Sequence, residues 1–258
     1  MFEWSLGEII HVKGKGVLIE ICFLIANRVY NRIKVHIDKE YRMKLLDNIL
    51  NQVNQASNRK TKTYRDIAKM FKNDINELTL EAVYHLCEAL LKRNNHPETI
   101  VAYQIIFDQR KRYGASTFNR FEQWMYDYVQ DWWDCDDFMT HAFQYVLIQY
   151  PNNLSKIKAW VHHTRFAVRR SAAVILIVPA RRGLIDKKLI FEVCDLLKND
   201  THYLVQKGYG WLLKEASKSY HDDVVKYLKE NVQTMNRIAF RYALEKLPED
   251  ERKALMRL

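Results

Sequence analysis

Glycine and proline are scarce in this sequence: seven Gly and four Pro occur in 258 residues. These are roughly 3% and 2% of the chain, against the ~7% and ~5% that are usual in soluble proteins. Sheet proteins need turn residues at short intervals, so this scarcity argues against a sandwich or a barrel. Hydrophobic residues make up 48% of the chain and charged residues 28%. This balance is typical of a soluble globular protein, and the scarcity of turn residues favours long helices with short polar connections.

Cysteine is also scarce, and the four cysteines lie far apart, at Cys22, Cys87, Cys135 and Cys194. The absence of a Cys-x-x-Cys pair argues against a zinc ribbon and a thioredoxin-like motif. Free thiols in a reducing cytoplasm are the simple interpretation. The nine histidines lack metal-ligand spacing, so we expect neither a metal nor a cofactor.

The longest apolar run that resembles a targeting segment covers residues 17–26. It is about half of a membrane span and contains Glu20. Arg28 and Arg32 follow it, and no small-residue cleavage site is present, which argues against a signal peptide. We therefore expect a buried first helix, no membrane partner and a cytoplasmic location. A small hairpin across the glycines of residues 13–16 is the alternative for this region.

Positive charge exceeds negative charge, with a formal net charge of +10 and a pI of about 9.3. Lysine and arginine are spread along the whole chain and do not form a single tail. Such a distribution is typical of a folded surface that faces a polyanion such as nucleic acid. A well-solvated basic protein would have the same net charge, so charge alone leaves both possibilities open.

Helical spacing dominates from residue 38 onward. Asp38 can cap a helix whose apolar residues recur at i, i+4 and i+7/8, as Tyr41, Leu45 and Ile49 do. About twelve helices follow one another with short polar links, so consecutive helices should pair antiparallel. Their predicted bounds are about 61–71, 78–91, from 96, from 116, 134–150, 152–163, 166–178, 186–198, 200–218, 221–231, 233–246 and 248–257.

Landmark residues recur at a spacing that is close to one HEAT repeat of ~40–47 residues. Trp132 and Arg170 are 38 positions apart, and Arg170 and Trp211 are 41 apart. We predict an all-α, HEAT-like helical repeat array, an α-solenoid with a concave basic face. This domain covers residues 38–258 and follows an N-terminal segment, residues 1–37, of uncertain structure.

Residues 131–138 form the first segment that could carry chemistry. Trp132 and Asp136 are four positions apart, as are Trp133 and Asp137, so each pair shares a helical face. An indole beside a carboxylate can stabilise a cationic transition state, through the ring face and through the negative charge. The alternative is one buried tryptophan, one surface tryptophan and solvated carboxylates.

Paired arginines form the second segment, since Arg169 and Arg170 precede the apolar run of residues 172–178. A helix start that presents arginine can clamp a phosphate, because guanidinium matches phosphate bidentately and backbone N–H groups point outward. Solvated helix charge is the alternative interpretation of this pair.

Residues 205–218 form the third segment, in which Lys207, Trp211 and Lys214 lie close to one helical face. Gly208 and Gly210 lie inside this helix, where each costs about 1 kcal/mol relative to alanine. Such a cost is tolerable where a ligand or another backbone approaches closely. A close crossing of two helices explains the glycines equally well.

Together these segments resemble the AlkD family of alkylpurine DNA glycosylases. The family pattern has Trp-x-x-x-Asp, then an arginine ahead of a small-residue apolar helix, then Gln-Lys-x-x-Gly-Trp-x-Leu-(Arg/Lys)-Glu. All three occur here in this order, and the resemblance covers roughly residues 40–250. The third motif is the most specific, because residues 206–207, 210–211 and 214–215 match it at six positions.

The resemblance implies a monomeric enzyme that hydrolyses the N-glycosidic bond of a cationic N3- or N7-alkylated purine in duplex DNA. Such a base needs no general acid and no extrusion into a deep pocket. The resemblance assigns Asp136 to stabilising the sugar cation and positioning water, Trp132 and Trp211 to holding the deoxyribose, and Arg170 to the phosphate. It also implies base excision repair at the nucleoid.

The sequence leaves open which tryptophan-aspartate pair is the catalytic one. Trp133 and Asp137 have the same spacing as Trp132 and Asp136, so they form an alternative register for the catalytic pair.

Phosphate-binding residues of the concave face would contact DNA largely without sequence preference. The candidates are Arg169, Lys207, Lys214, Arg237 and Arg241.

Two other functions compete with the glycosylase. A non-catalytic, DNA-structure-binding relative would keep the fold and the basic face, and the unmatched N-terminal residues favour it. A HEAT-type scaffold for protein partners would explain the helices but not the joint occurrence of tryptophan, aspartate and arginine. The presence of all these side chains at the motif positions favours the enzyme.

Overall fold

The computed structural model describes residues 39–258, which are helical and contain no strand. Expectations for residues 1–38, namely the hairpin or buried helix, the cap at Asp38 and the domain boundary, lie outside the described residues. The first described helix, α1, covers residues 39–54. The helices that follow are α2 (Thr61–Met70), α3 (Lys72–Glu77), α4 (Leu80–Leu91), α5 (His96–Asp108), α6 (Thr117–Tyr128), α7 (Trp132–Phe138), α8 (Gln144–Gln149), α9 (Ile157–Trp160), α10 (Phe166–Val174), α11 (Ile177–Arg181), α12 (Lys187–Leu197), α13 (Tyr203–Ala216), α14 (His221–Asn231), α15 (Arg237–Ala243) and α16 (Glu249–Met256).

Local sequence explains where several helices begin. The side chain of Thr79 caps α4 by accepting a hydrogen bond from the backbone nitrogen of Ala82 at 3.2 Å. Asp186 caps α12 and Asn236 caps α15 in the same way. Pro97 lies in the first turn of α5, where its missing N–H costs no helical hydrogen bond.

The helices pack into an array in which each helix contacts others nearby in the chain. α5 packs between α2 and α4, and α13 packs against α10 and α15. One continuous hydrophobic core runs through the array, and within it the rings of Phe121, Phe138 and Phe143 contact one another in edge-to-face and tilted arrangements, with centroids 5.2–5.6 Å apart. The predicted all-α, HEAT-like solenoid is therefore confirmed.

Side-chain hydrogen bonds between neighbouring units join residues that are about one unit apart. Arg120 reaches Glu88 over 32 residues, Trp160 reaches Glu122 over 38, and Lys187 reaches Asp223 over 36. These separations are somewhat shorter than the expected ~40–47. No helix among residues 39–258 is both long and apolar enough to cross a bilayer.

Three predicted helices differ from the structure. The predicted helix 166–178 ends at Val174 and resumes as α11, because Pro179 cannot donate to the carbonyl oxygen of Ile175. The predicted helix 152–163 begins as a 3₁₀ turn, Pro151–Lys156, and the predicted helix 233–246 begins only at Arg237. Helix α3 was not predicted, because its six residues are mostly polar.

The helix that carries the tryptophan-aspartate segment changes pitch in its middle. α7 continues into a π-helical stretch, Met139–Phe143, and then into α8, so one helical path covers residues 132–149. The hydroxyl of Thr140 donates to the carbonyl oxygen of Asp136 at 2.7 Å. Such π segments accompany functional sites in many proteins, and this one directly follows the candidate carboxylates.

Candidate active site

Two of the four aspartates at the start of α7 hold the helix in place. The Asp131 carboxylate accepts a hydrogen bond from the backbone nitrogen of Trp132 at 2.7 Å. Asp134 accepts from the backbone nitrogens of Gln130, Asp131 and Cys135 at 2.7–2.9 Å. Together they form a capping box. Burial raises the pKa of Asp134 to about 6. These two carboxylates therefore fix the position from which α7 presents its side chains.

Asp136 lies one helical turn beyond Trp132 and forms a bidentate pair with Arg170 of α10. The Nε and Nη2 atoms of Arg170 donate to Oδ1 and Oδ2 of Asp136, both at 2.8 Å. Only 6% of the Arg170 side chain is exposed, against 21% of that of Asp136. Burial raises the pKa of Asp136, and the hydrogen bonds and charge of Arg170 oppose this rise.

The remaining terminal nitrogen of Arg170 donates to the carbonyl oxygen of Leu204 in α13. One guanidinium thus joins α7, α10 and α13. Gly208 makes room for it, since a Cβ atom there would lie 3.3 Å from both Cγ and Nη1 of Arg170. The glycine at this position therefore accommodates the Arg170 side chain.

Gly210 serves a different purpose on the same helix. A Cβ atom there would lie 2.7 Å from the carbonyl oxygen of Ala239 and 2.9 Å from its Cα atom. Such contacts are too short for any side chain, so the glycine permits the close crossing of α13 and α15. Of the two explanations left open for the glycines, the helix crossing applies to Gly210.

These contacts form the floor of a cleft of about 410 Å³, which we call the Asp136 cleft. Trp132, which is 49% exposed, and the half-buried Trp211 are two of its walls. Asp136, Arg170 and Lys207 also line it, together with Tyr203, Leu204 and Tyr242. The structure therefore brings the indoles, the carboxylate and the guanidinium together from α7, α10 and α13.

Trp133 and Asp137, the alternative catalytic pair, line a neighbouring cleft of about 350 Å³, which we call the Asp137 cleft. Asp137 is paired with Arg65 of α2 and lies 3.1 Å from Nδ1 of His141. The ring of Trp133 contacts that of His96, with 4.6 Å between centroids. Trp132 and Asp136 line both clefts.

Comparisons with known proteins agree with this fold. The family model for DNA alkylation repair enzymes matches residues 40–247. The chain belongs to the DNA alkylation repair enzyme family. It is similar to the solved structure of a predicted DNA alkylation repair enzyme from Enterococcus faecalis, with a TM-score of 0.66 and 16% identity over 81% of this chain and 96% of that chain. At that identity the likeness shows the fold alone. The search of curated proteins found no match.

In this family member, the arginine pair lies inside α10 and not at its start. α10 begins at Phe166, four residues before Arg170, and the Arg170 side chain points inward to Asp136. The expected clamp of arginine with helix N-terminal N–H groups is therefore wrong in its geometry. The apolar run of residues 172–178 begins six residues inside this helix, so the arginines that precede it do not lie at a helix start.

Two of the predicted DNA-binding residues have protein partners. Arg169 donates to both oxygens of Asp200, at 2.6 and 3.3 Å, and to the carbonyl oxygen of His163. Lys214 is paired with Glu245, and its ammonium lies 4.7 Å from the ring centroid of Tyr242. DNA binding by these two residues stays a prediction.

The other predicted DNA-binding residues are exposed. Lys207 lies at the rim of the Asp136 cleft, with its ammonium 5.4 Å from the ring centroid of Tyr203. Arg237 and Arg241 are exposed on α15, and Arg241 lines a separate groove beside α16. Lys207 is therefore the predicted cation placed best to meet a phosphate at the cleft.

Sequence reasoning missed three contributors to the Asp136 cleft. Tyr203 lies four residues before Lys207 on α13, so helical periodicity could have identified it. Tyr242 reaches the cleft only because α15 crosses α13 closely at Gly210. The Leu204 carbonyl acts through the backbone, which no side-chain motif records. Among residues 39–258, no cluster of His, Cys, Asp and Glu could hold a metal ion.

Proposed function

We propose that this DNA alkylation repair family member is a DNA glycosylase that hydrolyses the N-glycosidic bond of N3- or N7-alkylated purines in duplex DNA. One observation supports this proposal above the others. The carboxylate of Asp136, oriented by Arg170, lies in a cleft whose walls include Trp132 and Trp211.

The chemistry that this arrangement favours is the departure of a base that is already positively charged. When the bond between C1′ and the alkylated base breaks, its electron pair leaves with the base, which becomes neutral. The deoxyribose takes up positive charge, and a water molecule then adds its oxygen to C1′ and loses a proton. No acid is needed to activate the leaving group, so a carboxylate can supply the main stabilisation of the sugar cation.

The ring faces of the two tryptophans complement this carboxylate. An indole face attracts positive charge, and the attraction is stronger where water is partly excluded. Trp132 and Trp211 would hold the deoxyribose between them, next to Asp136. Base excision at such an open cleft requires no deep pocket for an extruded base, unlike the base-flipping glycosylases.

Arg170 contributes by positioning Asp136. Its guanidinium is almost fully buried, and its bonds to Asp136 and Leu204 leave little of it open to a phosphate. The exposed ammonium of Lys207 is the better candidate for the backbone phosphate next to the lesion. Binding through such phosphate contacts should weaken steeply as salt concentration rises.

The decisive experiment measures release of 7-methylguanine from alkylated duplex DNA. Wild type should release the base, Asp136→Asn should not, and Asp137→Asn should retain most of the rate. Loss of activity in Asp137→Asn alone would move the reaction to the Asp137 cleft. If wild type binds DNA in a salt-sensitive manner but releases no alkylated base, the chain is a non-catalytic DNA-binding member of the family. A chain that does not bind DNA at low salt would be a scaffold for other partners.

A further inference from the structure

A third, larger cavity of about 620 Å³ forms a groove between α15 and α16, outside the Asp136 and Asp137 clefts. Its apolar floor includes Ile238, Leu244 and Met256. We call it the α16 groove. The family match ends at residue 247, so all of α16 lies beyond the part of the chain that the family model describes.

The rim of the α16 groove is strongly cationic. Arg241, Arg252, Lys253 and Arg257 line it, all of them exposed, and Glu245 is the one carboxylate among its described lining residues. Glu245 is already paired with Lys214. The groove therefore presents a positive surface that its own carboxylate does not neutralise.

Three of these cations are free to meet a ligand. Within residues 39–258, no carboxylate lies within ion-pair distance of Arg241, Arg252 or Arg257, whereas Lys253 is paired with Glu249 at 2.7 Å. Three carboxylates occupy the first turn of α16, but none of them lines the groove. The three carboxylates of α16 thus lie outside the groove lining, whereas its free arginines, Arg252 and Arg257, line the groove.

The α16 groove adjoins the Asp136 cleft at Tyr242. Tyr242 lines both cavities, and the Lys214–Glu245 pair links α13, which forms a wall of the cleft, to the end of α15. A polyanion long enough to extend from the cleft past Tyr242 would therefore meet the groove next. Duplex DNA has such a shape, with phosphates repeated along its length.

We propose that the α16 groove binds the phosphate backbone of the same DNA duplex, at a distance from the lesion. Arg241, Arg252 and Arg257 contact phosphates, and the apolar floor packs against the sugars. The inference builds on the proposed glycosylase, but it requires only that the Asp136 cleft faces duplex DNA. Contacts made this far from the reacting sugar raise affinity and leave the rate of the chemical step unchanged.

The test compares binding of lesion-free duplexes of about one and about two helical turns, by fluorescence anisotropy at several salt concentrations. The double variant Arg252→Gln/Arg257→Gln should bind the long duplex more weakly and the short duplex as wild type does. The slope of log affinity against log salt should fall by about 0.9 for each phosphate that the variant no longer binds. Arg252→Lys/Arg257→Lys keeps both charges and should restore most of the slope.

The matched control is Lys226→Gln/Lys229→Gln, which removes the same charge from exposed positions of α14 that line neither cavity. The control should bind both duplexes as wild type does. Equal weakening in the control, or an unchanged salt slope in Arg252→Gln/Arg257→Gln, would overturn the inference. Circular dichroism and the Tm confirm that each variant is folded.

Release of 7-methylguanine, measured in parallel at saturating DNA, separates this inference from the proposed function. A wild type that releases no base, with a salt slope that depends on Arg252 and Arg257, overturns the glycosylase and supports the groove. Normal release of 7-methylguanine, with a salt slope that does not depend on Arg252 and Arg257, overturns DNA binding by the groove and supports the glycosylase.

Discussion

The Asp136 and Asp137 clefts are neighbours, and each contains an aspartate of α7 that is paired with an arginine from another helix. Successive residues of a helix point about 100° apart, so Asp136 faces α10 while Asp137 faces α2. Arg170 is 6% exposed and binds Asp136 through two bonds, whereas Arg65 is 30% exposed and shares Asp137 with His141. Asp136 and Asp137 therefore differ mainly in their arginine partners and in how deeply those arginines are buried.

The largest expected difference between the two clefts is in catalysis. Asp136→Asn should lower the single-turnover rate of 7-methylguanine release by about 100-fold or more, because it removes a charge that stabilises the transition state. Asp137→Asn should stay close to the wild-type rate. Equal losses in the two variants would show that the two clefts act as one site.

The next difference concerns stability. Arg170→Gln breaks an ion pair whose guanidinium is 6% exposed and whose carboxylate is 21% exposed, so the free energy of unfolding should fall by about 3 kcal/mol. Arg65→Gln leaves the Asp137 carboxylate, which is 10% exposed, with His141 at 3.1 Å, and because Arg65 itself is 30% exposed a smaller loss of roughly 1 kcal/mol is expected. Urea denaturation of both variants at neutral pH measures the two values, and a larger loss in Arg65→Gln would contradict the assignment of the buried pair.

The two glycines of α13 differ in what a larger side chain would meet. Gly210→Ala should lower the free energy of unfolding by about 1–3 kcal/mol, because its Cβ atom would meet the backbone of Ala239. In Gly208→Ala the contact is with the side chain of Arg170, which can move. We therefore expect this variant to change stability less and to lower the rate more, as Asp136 loses its alignment. Denaturation and base release, measured together, would refute this if Gly210→Ala lost more rate than Gly208→Ala.

The smallest expected effect is on pH dependence. Burial raises the pKa of Asp136 above the ordinary value of 3.8, and only the ionised form stabilises the sugar cation. Activity should therefore be complete above this raised pKa and be lost as pH falls through it. Arg170→Gln removes the charge that lowers the pKa, so its acid limb should move to higher pH, whereas Arg65→Gln should leave the limb in place. The pH profile of the single-turnover rate tests this, and a shift in Arg65→Gln alone would assign the limb to Asp137.

Most helices could be predicted from the sequence where their ends carry local signals. The helices predicted at 186–198 and 221–231 agree with α12 and α14 to within a residue at each end. The interruption after Val174 was missed, because the apolar residues around it contain no glycine and the effect of Pro179 extends backward to Ile175. Periodicity thus identifies helices better than it identifies breaks within apolar runs.

The candidate site could be predicted only where motif residues share a helical face. The four-residue spacing of Trp132 and Asp136 was visible in the sequence, but so was that of Trp133 and Asp137. Which aspartate meets Arg170 depends on the rotation of α7 against α10, which is set by packing. The sequence could not indicate Tyr242, because its position follows from the crossing of two helices.

Because Arg170 donates a hydrogen bond to the Leu204 carbonyl oxygen, the positively charged member of the ion pair in the Asp136 cleft must be at position 170. If the two residues were exchanged, so that arginine came from α7 and aspartate from α10, the total charge would be conserved. The carboxylate at position 170 would then face a carbonyl oxygen, and two acceptors cannot satisfy each other. A charge-swapped double variant therefore cannot rebuild this site, and the order of acid and base along the chain is dictated by a backbone atom of a third helix.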